Sequence, residues 1–324
     1  DWILRLSPAH VAELEEAAMG LGVERLTSLG PREFPLPTLG PILARMRIDL
    51  LHGRGFSLLR GLPVARYSPS EYAAIFMGVG AHLGRARSQN AKGHVLGHVR
   101  DLGLSSADPS VRIYQTSERQ TFHTDSCDVV GLLCLREAKR GGDSLLVSAL
   151  TIYNEMHRKY PERLQRLLQP MPHDRRGEIP AGEKPDGERP GVSWFGGRVT
   201  CFYQRQYFDS AQRFPDARRL LAEDVAALDT FDELANDPRL GFTMRLEPGD
   251  MQFVYNHTML HDRTGFEDHA EPERRRHLLR LWLSCEGDRE LPDAFAARYG
   301  SVEVGNRAGI VVPGVLRNVP LAPA

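Results

Sequence analysis

The feature that most constrains the fold is a series of short, apolar, strand-like runs that begins at residue 111. Seven such runs, from VRIYQT at residue 111 to HLLRLWLS at residue 277, are separated by turns rich in Gly, Pro and Asp. Helical patterns interrupt them near residues 150–168 and 214–228, which is too seldom for a βαβ rhythm. The pattern predicts a mostly β fold with flanking helices, in the form of an antiparallel sandwich or jelly roll.

Helical patterns dominate the N-terminal part, residues 1–84. The clearest is SPSEYAAIFMGVGAHLG, in which Ser68 and Glu71 have the spacing of a capping box. Neither an internal repeat nor a shift in composition divides the sequence. We therefore expect a single domain over residues 1–324, with residues 1–84 supplying its helical elements.

Residues 173–192 differ from their surroundings. Their sequence, HDRRGEIPAGEKPDGERPGV, is rich in Gly, Pro and charge and poor in apolar side chains. A linker between domains is one interpretation, but strand-like runs lie on both sides. The segment is better interpreted as a long mobile loop within one domain, and such loops often act as lids over active sites.

The charge balance and the cysteines exclude several classes of protein. The chain has 41 basic and 42 acidic residues, whereas nucleic-acid-binding surfaces usually show a basic excess. No apolar run approaches the roughly 20 residues that span a bilayer. The four cysteines include no C-x-x-C pair, which is typical of a reducing compartment. We therefore predict a cytoplasmic protein that binds neither nucleic acid nor membranes.

A histidine and a carboxylate lie two residues apart in TFHTD, as His123 and Asp125. In an extended segment, side chains two residues apart face the same way, and imidazole with carboxylate suits Fe(II), Mn(II) or Zn(II). The pair alone is weak evidence for a metal site, and a surface histidine bonded to a neighbouring acid explains it more simply. A metal site needs a further ligand, and MQFVYNHTMLHD offers His257 and His261 after a strand-like run.

The last apolar run places arginines on a face that should be buried. As a strand, RRRHLLRLWLS puts Arg276 and Arg280 on one face with Leu278 and Trp282, opposite a core face of His277, Leu279, Leu281 and Leu283. Buried charge is costly unless it is paired, so these arginines require anionic partners. The partners are either small anions or acidic side chains of the protein.

The ordered blocks of this chain resemble the taurine-dioxygenase-like (TauD/TfdA) family of Fe(II)/2-oxoglutarate oxygenases. The blocks are HTD at 123–125, GGDS at 141–144, LHDRTGF at 260–266 and RHLLR at 276–280, within residues 85–285. The chain is also similar to gamma-butyrobetaine hydroxylases and clavaminate-synthase-like enzymes. The resemblance implies a double-stranded β-helix (jelly roll) that binds Fe(II), with 2-oxoglutarate, O2 and a small-molecule substrate as reactants.

The resemblance also implies a role for particular residues. It gives His123, Asp125 and His261 as the iron ligands, Ser144 and Arg276 as contacts of 2-oxoglutarate, and Arg280 and Asn90 as contacts of the substrate. His261 is preferred to His257 because the family places its distal ligand in L-H-x-R. Halogenating relatives lack the carboxylate ligand, so the presence of Asp125 implies hydroxylation of an sp3 C–H bond, with desaturation and ring closure as alternatives.

Arg280 gives an indication of the substrate. An inward arginine needs a counter-charge, so the resemblance favours an anionic metabolite such as a carboxylate or a sulfonate. Alternatively, Arg280 pairs with an acid of the protein or shares 2-oxoglutarate with Arg276.

Two other functions use the same residues. A zinc hydrolase would use the His/Asp/His set but would need neither GGDS nor the two inward arginines. A non-enzymatic barrel that binds a small acid would leave the histidines without a role. Related enzymes often self-associate, so a homo-oligomer is compatible with the resemblance.

Overall fold

Two β-sheets stacked face to face form the centre of the protein in the computed structural model, which describes residues 2–106, 111–176 and 184–323. The strands are β1 (Ile3–Arg5), β2 (Phe56–Arg60), β3 (Arg85–Arg87), β4 (Leu96–Val99), β5 (Gln120–His123), β6 (Val129–Arg136), β7 (Arg140–Gly141), β8 (Ser144–Ser148), β9 (Met171–Asp174), β10 (Asp186–Arg189), β11 (Val192–Phe195), β12 (Arg198–Cys201), β13 (Gly241–Met244), β14 (Met251–Tyr255), β15 (Met259–Arg263), β16 (Phe266–Glu267) and β17 (His277–Ser284). The helices are α1 (Pro8–Ala18), α2 (Leu39–His52), α3 (Pro69–Ala81), α4 (Ala149–Lys159), α5 (Pro161–Leu167), α6 (Arg205–Ala211), α7 (Ala222–Ala235) and α8 (Ala296–Tyr299).

The larger sheet has the strand order β1-β2-β14-β6-β17-β3, and β4 also pairs with β17. The smaller sheet has the order β13-β8-β15-β5. Every pairing in the two sheets is antiparallel except that of β1 with β2. The two sheets share no strand among the described residues, so they form a sandwich rather than a closed barrel.

Side-chain alternation along β17 defines the layers. Leu278 and Trp282 join the core between the two sheets, where they meet Leu146 of the smaller sheet. Leu279 and Leu281 point the other way, into the core beneath helices α1, α2 and α3. A third core, with Ile152 and Phe231 among its members, joins α4, α5 and α7 to the outer face of the smaller sheet. Since both faces of β17 are covered, all eight of its residues are buried.

The structure confirms the mostly β fold with flanking helices and the two faces expected for β17. The expected capping box is present, because the Ser68 hydroxyl accepts from the Glu71 N–H while the Glu71 carboxylate accepts from the Ser68 N–H. The expectation of a strand at VRIYQT was wrong. Residues Ile113–Gln115 form a 3-10 turn, because the Gln115 side chain caps the Arg112 N–H and the Thr116 N–H returns to the Ile113 carbonyl.

The segment proposed as a lid is more regular at its ends than its composition suggests. Strands β9 and β10 pair as an antiparallel hairpin, with Asp174 opposite Asp186. His173 and Asp174 are buried. Residues 177–183, the middle of the segment 173–192, lie outside the described residues. Closure of this segment over a site therefore stays a prediction.

The described helices include no candidate for a membrane-spanning segment. Within residues 2–106, 111–176 and 184–323, each helix is too short or too polar to traverse a lipid bilayer. The four cysteines are all buried as free thiols, as the absence of paired spacing indicated.

Candidate metal centre and active-site pocket

Antiparallel pairing of β5 with β15 brings His123 and His261 together. The two residues are direct partners in the ladder, and their ring centroids are 4.1 Å apart. Asp125 lies two residues beyond His123, where the chain has left β5. One ligand atom from each of the three side chains lies within 4.8 Å of the others, and all three residues are buried. The structure thus assembles the three residues that the sequence indicated.

Burial controls the charge of these side chains. It lowers the pKa of His261 to about 3, an effect increased by neighbouring His123. It also lowers the pKa of His123. Burial alone would raise the pKa of Asp125, but Arg280 and the two histidines hold it below its ordinary value. Two neutral imidazoles and one carboxylate are the protonation states that a metal ion requires of these ligands.

Hydrogen bonds orient the ligand atoms. The Nδ1 of His123 lies 2.8 Å from the Thr121 carbonyl, so this nitrogen donates and Nε2 carries the lone pair. The Nε2 of His261 lies 3.9 Å from Oδ2 of Asp125. Two imidazole nitrogens and a carboxylate oxygen on one side of a site match the facial donor set of non-haem Fe(II), which leaves coordination positions open for small molecules. The donor chemistry of the three residues therefore fits Fe(II).

Two positioning residues escaped the sequence analysis. The Trp282 indole N–H donates to Oδ2 of Asp125 at 2.9 Å, and the Asp125 backbone N–H donates to Oδ1 of Asn256 at 2.9 Å. The sequence could have identified Trp282 as a residue near the site, because strand alternation placed it on the same face as Arg280. No sequence pattern could have identified Asn256, since its contact with Asp125 depends on how the turn after β14 packs against the turn after β5.

A narrow pocket runs from the metal ligands to Arg276. Arg276 is buried, and its Nη1 has no hydrogen-bond partner among the described residues. Burial lowers its pKa to about 10. Gly142 makes room for it, because a Cβ at that position would lie 2.9 Å from Nε of Arg276. The second glycine of GGDS is therefore explained by the guanidinium that it accommodates.

Ser144 and Arg263 line the same pocket. The Ser144 hydroxyl lies about 3.0 Å from the Gln252 side-chain amide. Arg263, which the sequence analysis did not single out, donates to the Thr116 and Glu118 carbonyls but has no partner for its Nε among the described residues. Burial, together with Arg276, lowers its pKa to about 9. The L-H-x-R block held the signal for Arg263, because the arginine lies on the same face of β15 as His261.

A wider cavity of about 410 Å³ opens on the other side of His123 and Asp125. Arg280 lies in its wall, with Nη1 3.5 Å from Oδ2 of Asp125 and Nε donating to Oε1 of Gln89 at 2.8 Å. It thus has a counter-charge within the protein, which is one of the alternatives that the sequence left open. A contact between Arg280 and an anionic substrate stays a prediction.

Asn90 lines this cavity, on the side where the resemblance placed it. Its Oδ1 accepts from the backbone N–H groups of Lys92 and His94, so the side chain holds its own loop. A contact with substrate through its amide group also stays a prediction.

Other cations in this wall were missed. Besides Arg280, the positively charged lining residues are Lys92, Arg100, Arg112, Arg176, Arg189 and Arg298. Asp125 is the one carboxylate among the described lining residues. These cations come from separate parts of the chain, so no local sequence pattern marked them as a group.

His257, the competing histidine, lies in a second buried cluster. Its Nε2 is 2.9 Å from Asp128, and Arg307 forms ion pairs with both Asp128 and Asp288 at 2.8 Å. His257 is fully buried, whereas His261 borders the pocket. The choice of His261 as the metal ligand stays a prediction, and only His261 of the two histidines lines the described pocket.

Comparisons with known proteins agree with this arrangement. Residues 22–282 match the model of the family described as taurine catabolism dioxygenase TauD, TfdA family. The chain is 34% identical to FR-33289 synthase of Streptomyces rubellomurinus, over 93% of this chain and 90% of that protein. It is 32% identical to the taurine hydroxylase-like protein SAT17 of Stachybotrys chartarum, over 87% of this chain and 74% of that protein. The crystal structure of an asparagine oxygenase, in complex with Fe(II), 3-hydroxyasparagine and succinate, superposes with a TM-score of 0.64 at 18% identity, over 87% of this chain and 93% of that one, which confirms the double-stranded β-helix.

Proposed function

The chain belongs to the taurine catabolism dioxygenase TauD, TfdA family of non-haem iron, 2-oxoglutarate-dependent enzymes, and we propose that it hydroxylates an sp3 C–H bond of a small anionic metabolite. The observation that carries the proposal is the buried set of His123, Asp125 and His261 between two pockets. These residues hold Fe(II), and the two pockets receive different reactants. When bound, Fe(II) and 2-oxoglutarate supply the activation of O2, which converts 2-oxoglutarate to succinate and CO2.

The narrow pocket suits 2-oxoglutarate. Arg276 binds the carboxylate far from the metal, because a guanidinium fork matches a carboxylate with two parallel hydrogen bonds. Arg263 adds a second desolvated cation, and the Ser144 hydroxyl offers a further donor. Nη1 of Arg276, which lacks a partner within residues 2–106, 111–176 and 184–323, supports this role, since a buried donor without a partner costs stability unless a ligand satisfies it.

The wide cavity suits the substrate to be oxidised. It reaches His123 and Asp125, and cations predominate in its described wall. Asp125 supplies the carboxylate ligand that halogenating relatives lack, which supports hydroxylation. The zinc hydrolase and the non-enzymatic barrel find no support in the comparisons. A zinc hydrolase would not need Arg276, and a barrel that binds a small acid would leave His123, Asp125 and His261 without a role.

The proposal is tested with the purified chain, Fe(II), 2-oxoglutarate and 18O2, over a panel of small anions. We expect the label to enter succinate in every turnover and to enter the product as a hydroxyl group. Anaerobic addition of 2-oxoglutarate to the Fe(II) protein should also produce a visible charge-transfer absorption, which needs no substrate. Loss of substrate without consumption of 2-oxoglutarate would exclude the proposed reaction.

Three further features belong to the same proposal. Residues 1–324 act as one domain, which is supported by the participation of β1 and β2 in the larger sheet. The enzyme works in the cytoplasm, which is supported by its free cysteines. A homo-oligomer is compatible with the family, and sedimentation of the purified protein measures its size directly.

A further inference from the structure

Arg189 lies in the wall of the wide cavity with unsatisfied hydrogen-bonding groups. It is 7% exposed, and its guanidinium carbon stacks 3.4 Å above the centre of the Phe202 ring. Its Nε and Nη1 have no hydrogen-bond partner among the described residues. Burial, followed by the nearby charge of Arg298, lowers its pKa to about 9. A guanidinium desolvated in this way is costly unless an anion from outside completes the site.

Residues 202–204 connect the surroundings of Arg189 to the metal ligands. Phe202, on which Arg189 stacks, lies two residues before Gln204, and Gln204 forms a β-bridge with His123. Two residues of chain span at most roughly 7 Å. Arg189 and His123 therefore border one cavity at a separation that a small molecule can bridge.

The charges around Arg189 are also positive. Arg298 lies beside it and donates to Oγ of Ser126, while Arg176 stacks on Tyr207, and its buried Nε has no partner in the part of the chain that the structure describes. His173 adds no charge of either sign, since burial and the neighbouring arginines lower its pKa to about 2 and keep it neutral. Asp125, the carboxylate in the described wall, accepts from Trp282 through Oδ2 and has Arg280 beside it as a counter-charge.

We propose that Arg189 and the cations beside it bind a phosphoryl or phosphonyl dianion of the substrate. A tetrahedral phosphorus group offers three acceptor oxygens and two negative charges, whereas a carboxylate or a sulfonate carries one charge. The planar fork of Arg189 binds two of the oxygens, and its stacking on Phe202 fixes the plane of the fork. The substrate is then anchored with one of its C–H bonds at the metal site, so this inference rests on the proposed function for its chemistry.

Binding can be measured without turnover. Calorimetry at neutral pH would compare methyl phosphate, methanesulfonate and acetate on the metal-free protein. Methyl phosphate is largely dianionic at that pH. It should bind more tightly than methanesulfonate, which has similar shape and a single charge, and acetate should bind most weakly.

Substitution of Arg189 locates the site. Arg189→Gln should weaken methyl phosphate binding roughly ten- to a hundred-fold, and Arg189→Lys should recover part of the loss because lysine keeps the charge but not the fork. Arg239→Gln is the matched control, since Arg239 is an exposed arginine paired with Asp237. Methyl phosphate should raise the Tm of the unsubstituted protein and of the control but not of Arg189→Gln.

The outcomes separate this inference from the proposed function. If the protein binds Fe(II) and 2-oxoglutarate normally but binds methyl phosphate no better than methanesulfonate, the phosphorus site is wrong and the hydroxylase stands. If methyl phosphate binds through Arg189 while the protein binds no Fe(II), the hydroxylase is wrong and the anion site stands. An unchanged affinity in Arg189→Gln also overturns the inference. Titration with uridine 5′-monophosphate and with an alkylphosphonate then distinguishes a phosphate ester from a C–P compound as the source of the dianion.

Discussion

Two buried clusters of histidine and aspartate lie close together in this protein, and their surroundings give them different properties. The first cluster is His123, Asp125 and His261, and the second is Asp128, His257 and Asp288. In each, three ligand atoms lie within 4.8 Å of one another. In the second cluster, Arg307 forms ion pairs with both aspartates, whereas the first cluster borders two pockets.

The difference shows that proximity of ligand atoms does not by itself make a metal site. Asp128 accepts hydrogen bonds from Arg307 and His257, and also from the Cys285 N–H and the Ser284 hydroxyl. A metal ion there would have to displace a buried arginine. Asp125 accepts from the Trp282 indole and lies 3.5 Å from Arg280, which leaves an oxygen available. The second cluster therefore stabilises the folded chain, whereas the first retains an oxygen atom that can bind a metal ion.

The largest expected effect is on the histidine that distinguishes the clusters. His261→Ala removes one of three proposed ligands, so Fe(II) affinity should fall by more than the roughly ten- to a hundred-fold that loss of an outer partner costs. His257→Ala should lower stability but retain Fe(II) in the folded protein. Metal analysis after anaerobic reconstitution, with folded protein quantified by circular dichroism, measures both. Retention of iron in His261→Ala and its loss in His257→Ala would reverse the assignment.

The second expected effect concerns Arg307. Arg307→Met leaves Asp128 and Asp288 buried without their cation, and removal of one partner of a buried ion pair costs about 3–5 kcal/mol. Denaturant unfolding of the apoprotein should show a loss of that size, because the side chains of all three residues are fully buried. Arg239→Met, at an exposed pair, should change the free energy of unfolding little. A similar small change for Arg307→Met would show that the second cluster does not stabilise the fold.

The sequence predicted the first cluster better than the second because the first follows local rules. The spacing of His123 and Asp125, the alternation along β17 and the family blocks all concern residues near one another in sequence. The partners of Asp128 come from residues 257, 284, 285 and 307, so only the packed chain brings them together. The cations of the wide cavity escaped prediction for the same reason. The strand expected at residue 111 failed because a Gln115 side chain caps the backbone there.

A third test compares two buried arginines. Arg307 has its partners within the protein, whereas Nη1 of Arg276 lacks one among the described residues. Arg276→Lys should therefore leave stability nearly unchanged but raise the KM for 2-oxoglutarate roughly ten- to a hundred-fold, since one charge-assisted contact contributes about 1.5–3 kcal/mol. Uncoupled consumption of 2-oxoglutarate measures this KM without knowledge of the substrate. An unchanged KM would exclude Arg276 from the cosubstrate site and leave Arg263 as the candidate.

The smallest expected effects are those of substituting Trp282 and Ser284. Both residues lie on one face of β17, and each contacts a different cluster. Trp282 donates to Asp125, and two residues later the Ser284 hydroxyl lies 3.4 Å from Asp128. Trp282→Phe keeps most of the packing but removes the indole N–H, so Fe(II) affinity should fall roughly tenfold with little change in stability. Ser284→Ala should leave Fe(II) affinity unchanged and lower the free energy of unfolding by about 1 kcal/mol, because the Arg307 N–H also loses its acceptor.

These two variants form a matched pair because each removes the hydrogen bonds of a single side chain, one bond for Trp282 and two for Ser284, on the same face of the same strand. Fe(II) titration and denaturant unfolding of both proteins give four values. We expect Trp282→Phe to change the Fe(II) affinity but hardly the free energy of unfolding, and Ser284→Ala to do the reverse. If Ser284→Ala also lowers Fe(II) affinity tenfold, the network around Asp128 supports the position of Asp125 through the intervening Cys127. The second cluster would then position the metal ligands as well as stabilise the fold, and the two clusters could no longer be assigned separate roles.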